Sequence, residues 1–259
     1  MDSQSGNPEY LLSSVKNALR ILRSFSMDKP ELKVSDLAAS LGLGKSTVSR
    51  LVGTLASEGF VTKDPETQKY RLGVSILGLY SILTSNLEIN QESMPILQKL
   101  VEDIGETAHI ATLVGLETVY LNKVECNHPV RILSHVGRRN PAYCTSSGKV
   151  MLAYQPDEVV EQVIENGLIQ YTKNTITDPD TLRTALKTIR EQGYAVSVEE
   201  LLEGVVTIAA PIRDHTGKVN YAITMTGPIQ RIRSHNISVY RGKIIKAAKE
   251  ISERLGYWK

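Results

Sequence analysis

The stretch that decides the fold is Val34–Phe60, VSDLAASLGLGKSTVSRLVGTLASEGF. Apolar residues recur at helical spacing on both sides of Gly42-Leu43-Gly44, which predicts two short helices. Glycine reaches positive φ without steric cost, so this tripeptide permits a sharp turn between them. We expect Ser35 to cap the first helix by accepting a backbone N–H bond. The pattern is that of a helix-turn-helix, whose second helix enters the major groove of DNA.

Polar residues occupy the first turns of the second helix, where a recognition helix contacts bases and phosphates. Arginine can donate two hydrogen bonds to guanine, and serine or threonine can reach bases or phosphates. The predicted DNA-contacting residues of this helix are Lys45, Ser46, Thr47, Ser49 and Arg50, with Lys45 assigned to phosphate. Taken alone, the pattern is also compatible with an ordinary helical hairpin that exposes a polar face.

A second hairpin signal follows directly, in residues 61–73, VTKDPETQKYRLG. Two short extended runs flank a polar turn that contains Pro65, which is typical of a β-hairpin. A hairpin placed after a recognition helix makes a winged helix-turn-helix, with Lys63, Lys69 and Arg71 close to phosphates. The wing favours DNA binding over the plain helical hairpin.

The charge distribution points the same way. The 259-residue chain has a formal net charge of +2, yet residues 10–75 carry ten Lys or Arg against six Asp or Glu. Cys126 and Cys144 are too few for a disulfide framework, and the polar N-terminus lacks the apolar core of a signal peptide. No apolar stretch approaches the roughly 20 residues that span a bilayer. We expect a cytoplasmic protein with no membrane partner.

Three segments are predicted: a winged helix-turn-helix domain over residues 10–73, a linker helix over 74–88, and an α+β domain over 89–259. The linker helix carries an apolar stripe, which we expect to pack on a second copy, because regulators that read two DNA half-sites are dimers. Packing of this stripe within one chain is the alternative.

A first helix is expected at Tyr10–Ser26, with Val15, Leu19 and Leu22 on the face that packs under the helix-turn-helix.

The remaining periodicities predict a mixed antiparallel sheet flanked by helices. The expected strands are His109–Val114, Thr118–Val124, Tyr194–Val198, Val205–Ile212 and Val219–Thr226. The expected helices are Ile89–Gly105, one from Ser147 or Gly148 to Tyr154, Asp157–Glu165, Pro179–Gln192 and Ser234–Leu255.

Two long blocks carry a family resemblance. One is GRRNPAYCTSSGKVMLA at residues 137–153, and the other runs from REQGYAV at 190–196 to TMTGP at 224–228. Over nearly its whole length the chain resembles the IclR family of bacterial transcriptional regulators. The resemblance implies a GAF-like effector domain, a dimer or dimer of dimers, a double-stranded DNA operator and a small carboxylate-bearing effector.

Within that family, the first block is most similar to the subgroup that responds to 2-keto-3-deoxygluconate in hexuronate and pectin breakdown. This likeness implies a repressor that is released from DNA by a sugar acid.

The residues themselves suggest where an effector binds. Thr145–Lys149 opens a helix, whose free N–H groups and positive dipole end favour an anion, although its serines could be mere caps. Thr224 and Thr226 share one side of a strand, and Ile223 and Met225 share the other. With the family's pocket residues carried over, the predicted effector-binding set is Ser146, Ser147, Gly148, Ser197, Thr207, Thr224 and Thr226. These hydroxyls suit a polyhydroxylated acid better than an aromatic one.

Arg138 and Arg139 could bind the effector's carboxylate or form a solvated loop. The histidines are scattered, and Cys126-x-His128 supplies too few ligands for a metal site, so neither a metal nor a cofactor is predicted.

Enzyme motifs are tested as an alternative. The Walker pattern fails at Tyr143 and Val150, and neither G-x-S-x-G nor H-E-x-x-H occurs. A GAF-type small-molecule or redox enzyme, with Cys144 as its thiol, and a non-DNA interaction module are the competing interpretations.

Overall fold

The computed structural model describes residues 11–85, 88–233 and 235–258. The chain divides into two compact units, Met1–Asn86 and Leu87–Lys259. None of the helices in the described ranges combines the length and apolar character needed to span a bilayer. The treatment of residues 74–88 as a segment of their own stays a prediction.

The first unit has the predicted helix-turn-helix and wing. Its elements are α1 (Ser13–Arg23), α2 (Val34–Leu41), α3 (Lys45–Ser57), the antiparallel pair β1 (Val61–Lys63) and β2 (Tyr70–Leu72), and α4 (Ser75–Ser85). Gly42 adopts φ +67° at the end of α2, which makes the turn into α3. Val48 and Val52 of α3 are fully buried against Leu37 of α2 and Ile21 of α1.

Two local predictions in this unit are wrong. Ser35 does not cap α2, because the N-cap is Lys33, two residues earlier, and the helix begins at Val34. The carboxylate of Asp36 accepts the backbone N–H of Lys33 at 3.0 Å, and an acid there also complements the positive end of the helix dipole.

The face of α1 that packs on the helix-turn-helix is only partly as predicted, and the helix is shorter than expected. Leu22 packs against this core as predicted. Val15 and Leu19 are 53% and 52% exposed, whereas Ile21 is fully buried. The helix-turn-helix packs on the side of α1 that carries Ile21, so the Val15–Leu19 stripe faces away from this core. Tyr10 lies outside the described residues.

The second unit is an α+β domain with a six-stranded antiparallel sheet in the described ranges. Its elements are α5 (Glu88–Ile104), β3 (Thr107–Val114), β4 (Glu117–Val124), β5 (Arg139–Pro141), a 3-10 turn (Ala142–Cys144), α6 (Ser146–Leu152), α7 (Asp157–Glu165), α8 (Pro179–Gln192), β6 (Ala195–Val198), β7 (Val205–Arg213), β8 (Val219–Pro228) and α9 (Ile237–Arg254). The strand order is β5-β4-β3-β8-β7-β6. Every predicted strand is present, and β5 is an addition that the sequence did not indicate.

Side-chain alternation gives the sheet two cores. Ile223 and Met225 of β8 lie on the same face, as predicted, and pack in one core with α5 and α9. Small residues of the central strands, among them Ala209 and Ala222, pack in a second core with α6, α7 and α8. Because these side chains are small, the short helix α6 can lie close to the sheet.

Gly148 makes a second close approach possible. A Cβ atom added to Gly148 would lie 2.1 Å from the carbonyl oxygen of Ala142 and 2.5 Å from its Cα. No side chain fits there unless α6 and the 3-10 turn separate.

We therefore predict that Gly148→Ala lowers the free energy of unfolding of the second unit by about 3 kcal/mol or more, the upper range for overpacking. Gly242→Ala in α9 is the matched control, since a Cβ there meets no atom within 4 Å. Alanine is the better helix former, so this control should raise stability by up to about 1 kcal/mol. Urea denaturation of the full chain measures both variants, and equal stability of the two would contradict the packing described for α6.

Candidate effector cavity and DNA-contacting helix

The exposed face of α3 carries the residues predicted to contact DNA. Lys45, Ser46, Thr47, Ser49 and Arg50 are all exposed, while Val48 between them is fully buried. The buried valine fixes the rotation of the helix, so the polar side chains project away from the core. A polar surface on the first turns of such a helix can lie in a major groove.

The wing is built around a capped turn. The carboxylate of Asp64 accepts the backbone N–H groups of Glu66 and Thr67 at 3.0 and 2.7 Å, and these bonds, with Thr67's the largest contribution, lower its pKa. Of the predicted basic residues, Lys63 lies 5.8 Å from the ring centroid of Tyr70. The other two are Lys69, whose ammonium is 3.9 Å from Glu31, and Arg71, which is exposed. An ion pair that is this exposed and 3.9 Å long adds little to the stability of the fold, so the ammonium of Lys69 stays available to bind a phosphate.

A cavity opens in the second unit beside the first turn of α6. It lies against β7 and β8 and is bordered by the loop of residues 125–138, and it contains about 530 Å³ of empty space including its open mouth. Six of the seven predicted effector residues line it: Ser146, Ser147, Ser197, Thr207, Thr224 and Thr226.

Gly148 is the exception. It is not among the residues that line the cavity, because it packs against the backbone of Ala142. Its part in the site is to let α6 approach the 3-10 turn, and its direct contact with an effector stays a prediction.

The sheet register brings the threonines together. Thr207 lies opposite Thr226 in the β7–β8 pair and opposite Ser197 in the β6–β7 pair. Ser146 Oγ lies 3.2 Å from Thr224 Oγ1, which joins α6 to β8. Thr207 Oγ1 and Thr226 Oγ1 are buried and have no hydrogen-bond partner in the described part of the chain. Buried hydroxyls without partners are uncommon, and here they can serve a ligand.

The serines of α6 are not its caps. Thr145 caps the helix, because its Oγ1 accepts the N–H of Gly148 at 3.1 Å. Ser146 and Ser147 therefore lie in the first turn, where backbone N–H groups have no acceptor within the helix. This arrangement removes the capping explanation for the two hydroxyls.

The two arginines of the first sequence block have different environments. Arg138 borders the cavity, and its guanidinium donates to Leu133 O at 3.0 Å and to Asn140 Oδ1 at 3.3 Å. Arg139 is an exposed residue that pairs with Glu117 at 2.7 Å. Of these two arginines, only Arg138 can supply positive charge to the cavity.

Sequence reasoning missed a buried ion pair at the back of the cavity. The ammonium of Lys149 donates to Glu200 Oε1, and the two side chains are 4% and 9% exposed. Glu200 borders the cavity, and its second oxygen, Oε2, is buried without a partner among the described residues. Lys149 is the one charged residue of α6, and its position before the apolar run Val150–Leu152 was the available sign of a buried partner.

Two contacts of Ser134 hold the loop of residues 125–138 at the border of the cavity. Ser134 Oγ lies 2.7 Å from His109 Nε2, and Ser134 O accepts a bond from the ammonium of Lys123 at 2.5 Å. Burial, together with the positive charges of Lys123 and Arg138, lowers the pKa of His109 to about 3, so its imidazole is neutral at pH 7. His109 was not predicted to have any role.

Cys144 also borders the cavity. Burial, followed by the negative charge of Glu200, raises the pKa of its thiol to about 12. A thiol of this kind is protonated at neutral pH and is a poor nucleophile. In the described ranges no three His, Cys, Asp or Glu side chains are grouped so that they could hold a metal ion.

Two family models match this chain, one over most of each of its two units. The family model described as "Bacterial transcriptional regulator IclR C-terminal" matches residues 82–253, and the "IclR helix-turn-helix domain" matches residues 14–65. A crystal structure of an IclR transcriptional regulator from Alicyclobacillus acidocaldarius has a TM-score of 0.86 and 27% sequence identity, with 95% of this chain and 100% of that chain covered.

Two curated relatives come from Escherichia coli K12. The transcriptional regulator XynR is 32% identical, over 95% of this chain and 98% of its own. The regulator KdgR is 31% identical, over 95% of this chain and 94% of its own. The likeness to KdgR supports the subgroup suggested by the sequence, while XynR is similar to the same degree. Both are named as regulators, and the interpretation as an enzyme finds no support in them.

The pKa of Cys144 leads to a prediction about its reactivity. At pH 8 the fraction of thiolate should be about 10³-fold lower than for an ordinary thiol, so iodoacetamide should alkylate Cys144 in the native protein correspondingly slowly. Peptide mass spectrometry after timed quenching measures this rate, with urea-unfolded chain as the control. Labelling of native Cys144 at the unfolded rate would contradict the buried, unreactive thiol and revive the redox alternative.

Proposed function

The chain belongs to the IclR family of bacterial transcriptional regulators, and we propose that it represses a sugar-acid catabolic operon until a small hydroxylated acid occupies its cavity. Regulators of this family bind DNA through the helix-turn-helix and small effectors through the C-terminal domain. The sugar acid and the repression are the proposed part.

One observation carries the effector class: a single cavity combines a guanidinium, from Arg138, with hydroxyls that lack partners. A carboxylate suits the guanidinium, because charge-assisted hydrogen bonds are the strong ones. Thr207 and Thr226 suit an effector that carries hydroxyl or keto oxygens. A sugar acid such as 2-keto-3-deoxygluconate has a carboxylate at one end and hydroxyls along the rest of its chain, which matches this set.

Repression and release place a thermodynamic requirement on the effector. It can weaken DNA binding only if it binds the DNA-competent arrangement of the protein less tightly than the other arrangement. A tenfold change in operator affinity corresponds to about 1.4 kcal/mol of such a difference.

A homodimer, or a dimer of dimers, is the proposed assembly. Apolar side chains on α4 and just before it are exposed, among them Val74, Leu77 and Leu79 at 79%, 66% and 56%. An apolar surface of this kind marks an interaction site, and a second copy would supply the second half-site contact. Sedimentation of a monomer at micromolar concentration would contradict this assembly.

The DNA-contacting residues should separate into two classes. Arg50→Ala should weaken binding to the operator by about 1–3 kcal/mol with little effect on random DNA, because an exposed arginine on α3 can read guanine. Lys69→Ala should weaken binding to both DNAs alike and lower the slope of affinity against salt by about one. Fluorescence anisotropy over a salt series measures both, and an equal loss on both DNAs for Arg50→Ala would contradict its role.

The hydroxyls of the cavity give a second prediction. Thr226→Val should weaken the binding of 2-keto-3-deoxygluconate up to about tenfold, since one hydrogen bond is lost. It should leave the free energy of unfolding unchanged or raise it, because the replaced hydroxyl is buried without a partner. Calorimetry and urea denaturation measure the two quantities, with exposed Thr188→Val on α8 as the control. Unchanged effector affinity would show that the pocket is misplaced.

A further inference from the structure

Glu200 is a buried carboxylate with only half of its hydrogen-bonding capacity used. Its Oε1 accepts from Lys149, while its Oε2 is buried without a partner among the described residues. Glu200 is one of the residues that line the cavity. An ionised carboxylate only accepts hydrogen bonds, so a ligand that satisfies Oε2 must present a donor. The Glu200 carboxylate therefore favours a ligand that carries a hydrogen-bond donor.

Lys149 decides which donor is suitable. Its ammonium already neutralises Glu200 within the same buried site, so an ammonium on the ligand would meet a like charge in a medium of low dielectric constant. A neutral hydroxyl supplies a proton without adding charge. A second carboxylate on the ligand would be repelled by Glu200 and would leave Oε2 without a donor.

The backbone that carries this carboxylate is also held in place by hydrogen bonds. Thr175 Oγ1 donates to the carbonyl oxygen of Glu200 at 2.6 Å, and Thr172 Oγ1 donates to that of Glu199 at 2.5 Å. Both threonines are buried. A carboxylate on a fixed backbone loses little freedom when it binds a ligand, which favours selective recognition.

We propose that Glu200 is a specificity-determining residue that accepts a hydrogen bond from an effector hydroxyl, so that the cavity takes monocarboxylic hydroxy acids and rejects dicarboxylic acids. Arg138 binds the carboxylate of the effector, and Glu200 accepts a hydrogen bond from a hydroxyl at the effector's other end. This inference rests on the proposed sugar-acid function. It adds the residue by which the cavity distinguishes a monocarboxylic hydroxy acid from a dicarboxylic acid.

Two acids with the same six-carbon backbone test this. 2-Keto-3-deoxygluconate carries hydroxyls beyond its keto group, and 2-oxoadipate ends in a second carboxylate. Calorimetry with the full chain should show that Glu200→Gln weakens binding of 2-keto-3-deoxygluconate about tenfold or more, the range for a hydrogen bond to a charged group. The same variant should bind 2-oxoadipate more tightly than the wild type does, because the repulsion is removed and the new amide can donate.

Controls separate this role from damage to the fold. Glu200→Gln leaves Lys149 buried without a counter-charge, so the double variant Lys149→Met/Glu200→Gln removes both charges together and should show the same change in selectivity. Glu203→Gln, on the exposed part of the same segment, should leave both affinities unchanged.

The outcomes are distinct. Opposite changes for the two acids support the proposal, since a damaged pocket weakens both. Equal weakening of both acids, or no change in either, overturns the role of Glu200 and leaves the sugar-acid function standing. A wild-type chain that binds neither acid overturns both.

Discussion

The ion pair between Lys149 and Glu200 is the constraint on which the sensing domain depends. It fixes α6, a helix of only seven residues, to the segment that follows β6. Removing one member of such a buried pair typically costs about 3–5 kcal/mol, because the remaining charge is left without compensation. Gly148 and the small side chains beneath α6 allow the close approach, and the ion pair with the Ser146–Thr224 contact sets its position. The hydroxyls of the first turn consequently lie at the cavity.

The same arrangement explains why the cavity is polar inside an apolar domain. Strand alternation sends Ile223 and Met225 into the core beneath α5 and α9, and it sends Thr224 and Thr226 to the opposite face. Burial of hydroxyls without partners costs free energy. Their retention beside Arg138 and Glu200 is understandable if a polar molecule satisfies them, and this links the packing of the domain to its function as a sensor.

Sequence reasoning recovered the features that depend on local chemistry. The helix-turn-helix, the wing, α7, α8 and the threonine face of β8 follow from periodicity and turn residues within a few positions. Features that depend on distant contacts were missed. Lys149 and Glu200 are 51 positions apart, the role of Gly148 depends on the backbone of Ala142, and Ile21 is buried on α1 because of where α2 and α3 lie. Ser35 was misassigned because α2 begins before it, with Lys33 as the N-cap and Asp36 accepting the backbone N–H of Lys33.

The central claim is that one molecule couples a DNA-reading helix to a cavity for a hydroxylated acid. Footprinting on the DNA upstream of its own coding region, with and without 2-keto-3-deoxygluconate, tests this claim most directly. We expect protection over two half-sites whose centres are separated by whole helical turns of about 10 base pairs, and loss of that protection as the acid is added. Absence of any protected site, or protection that persists at saturating acid, would contradict it.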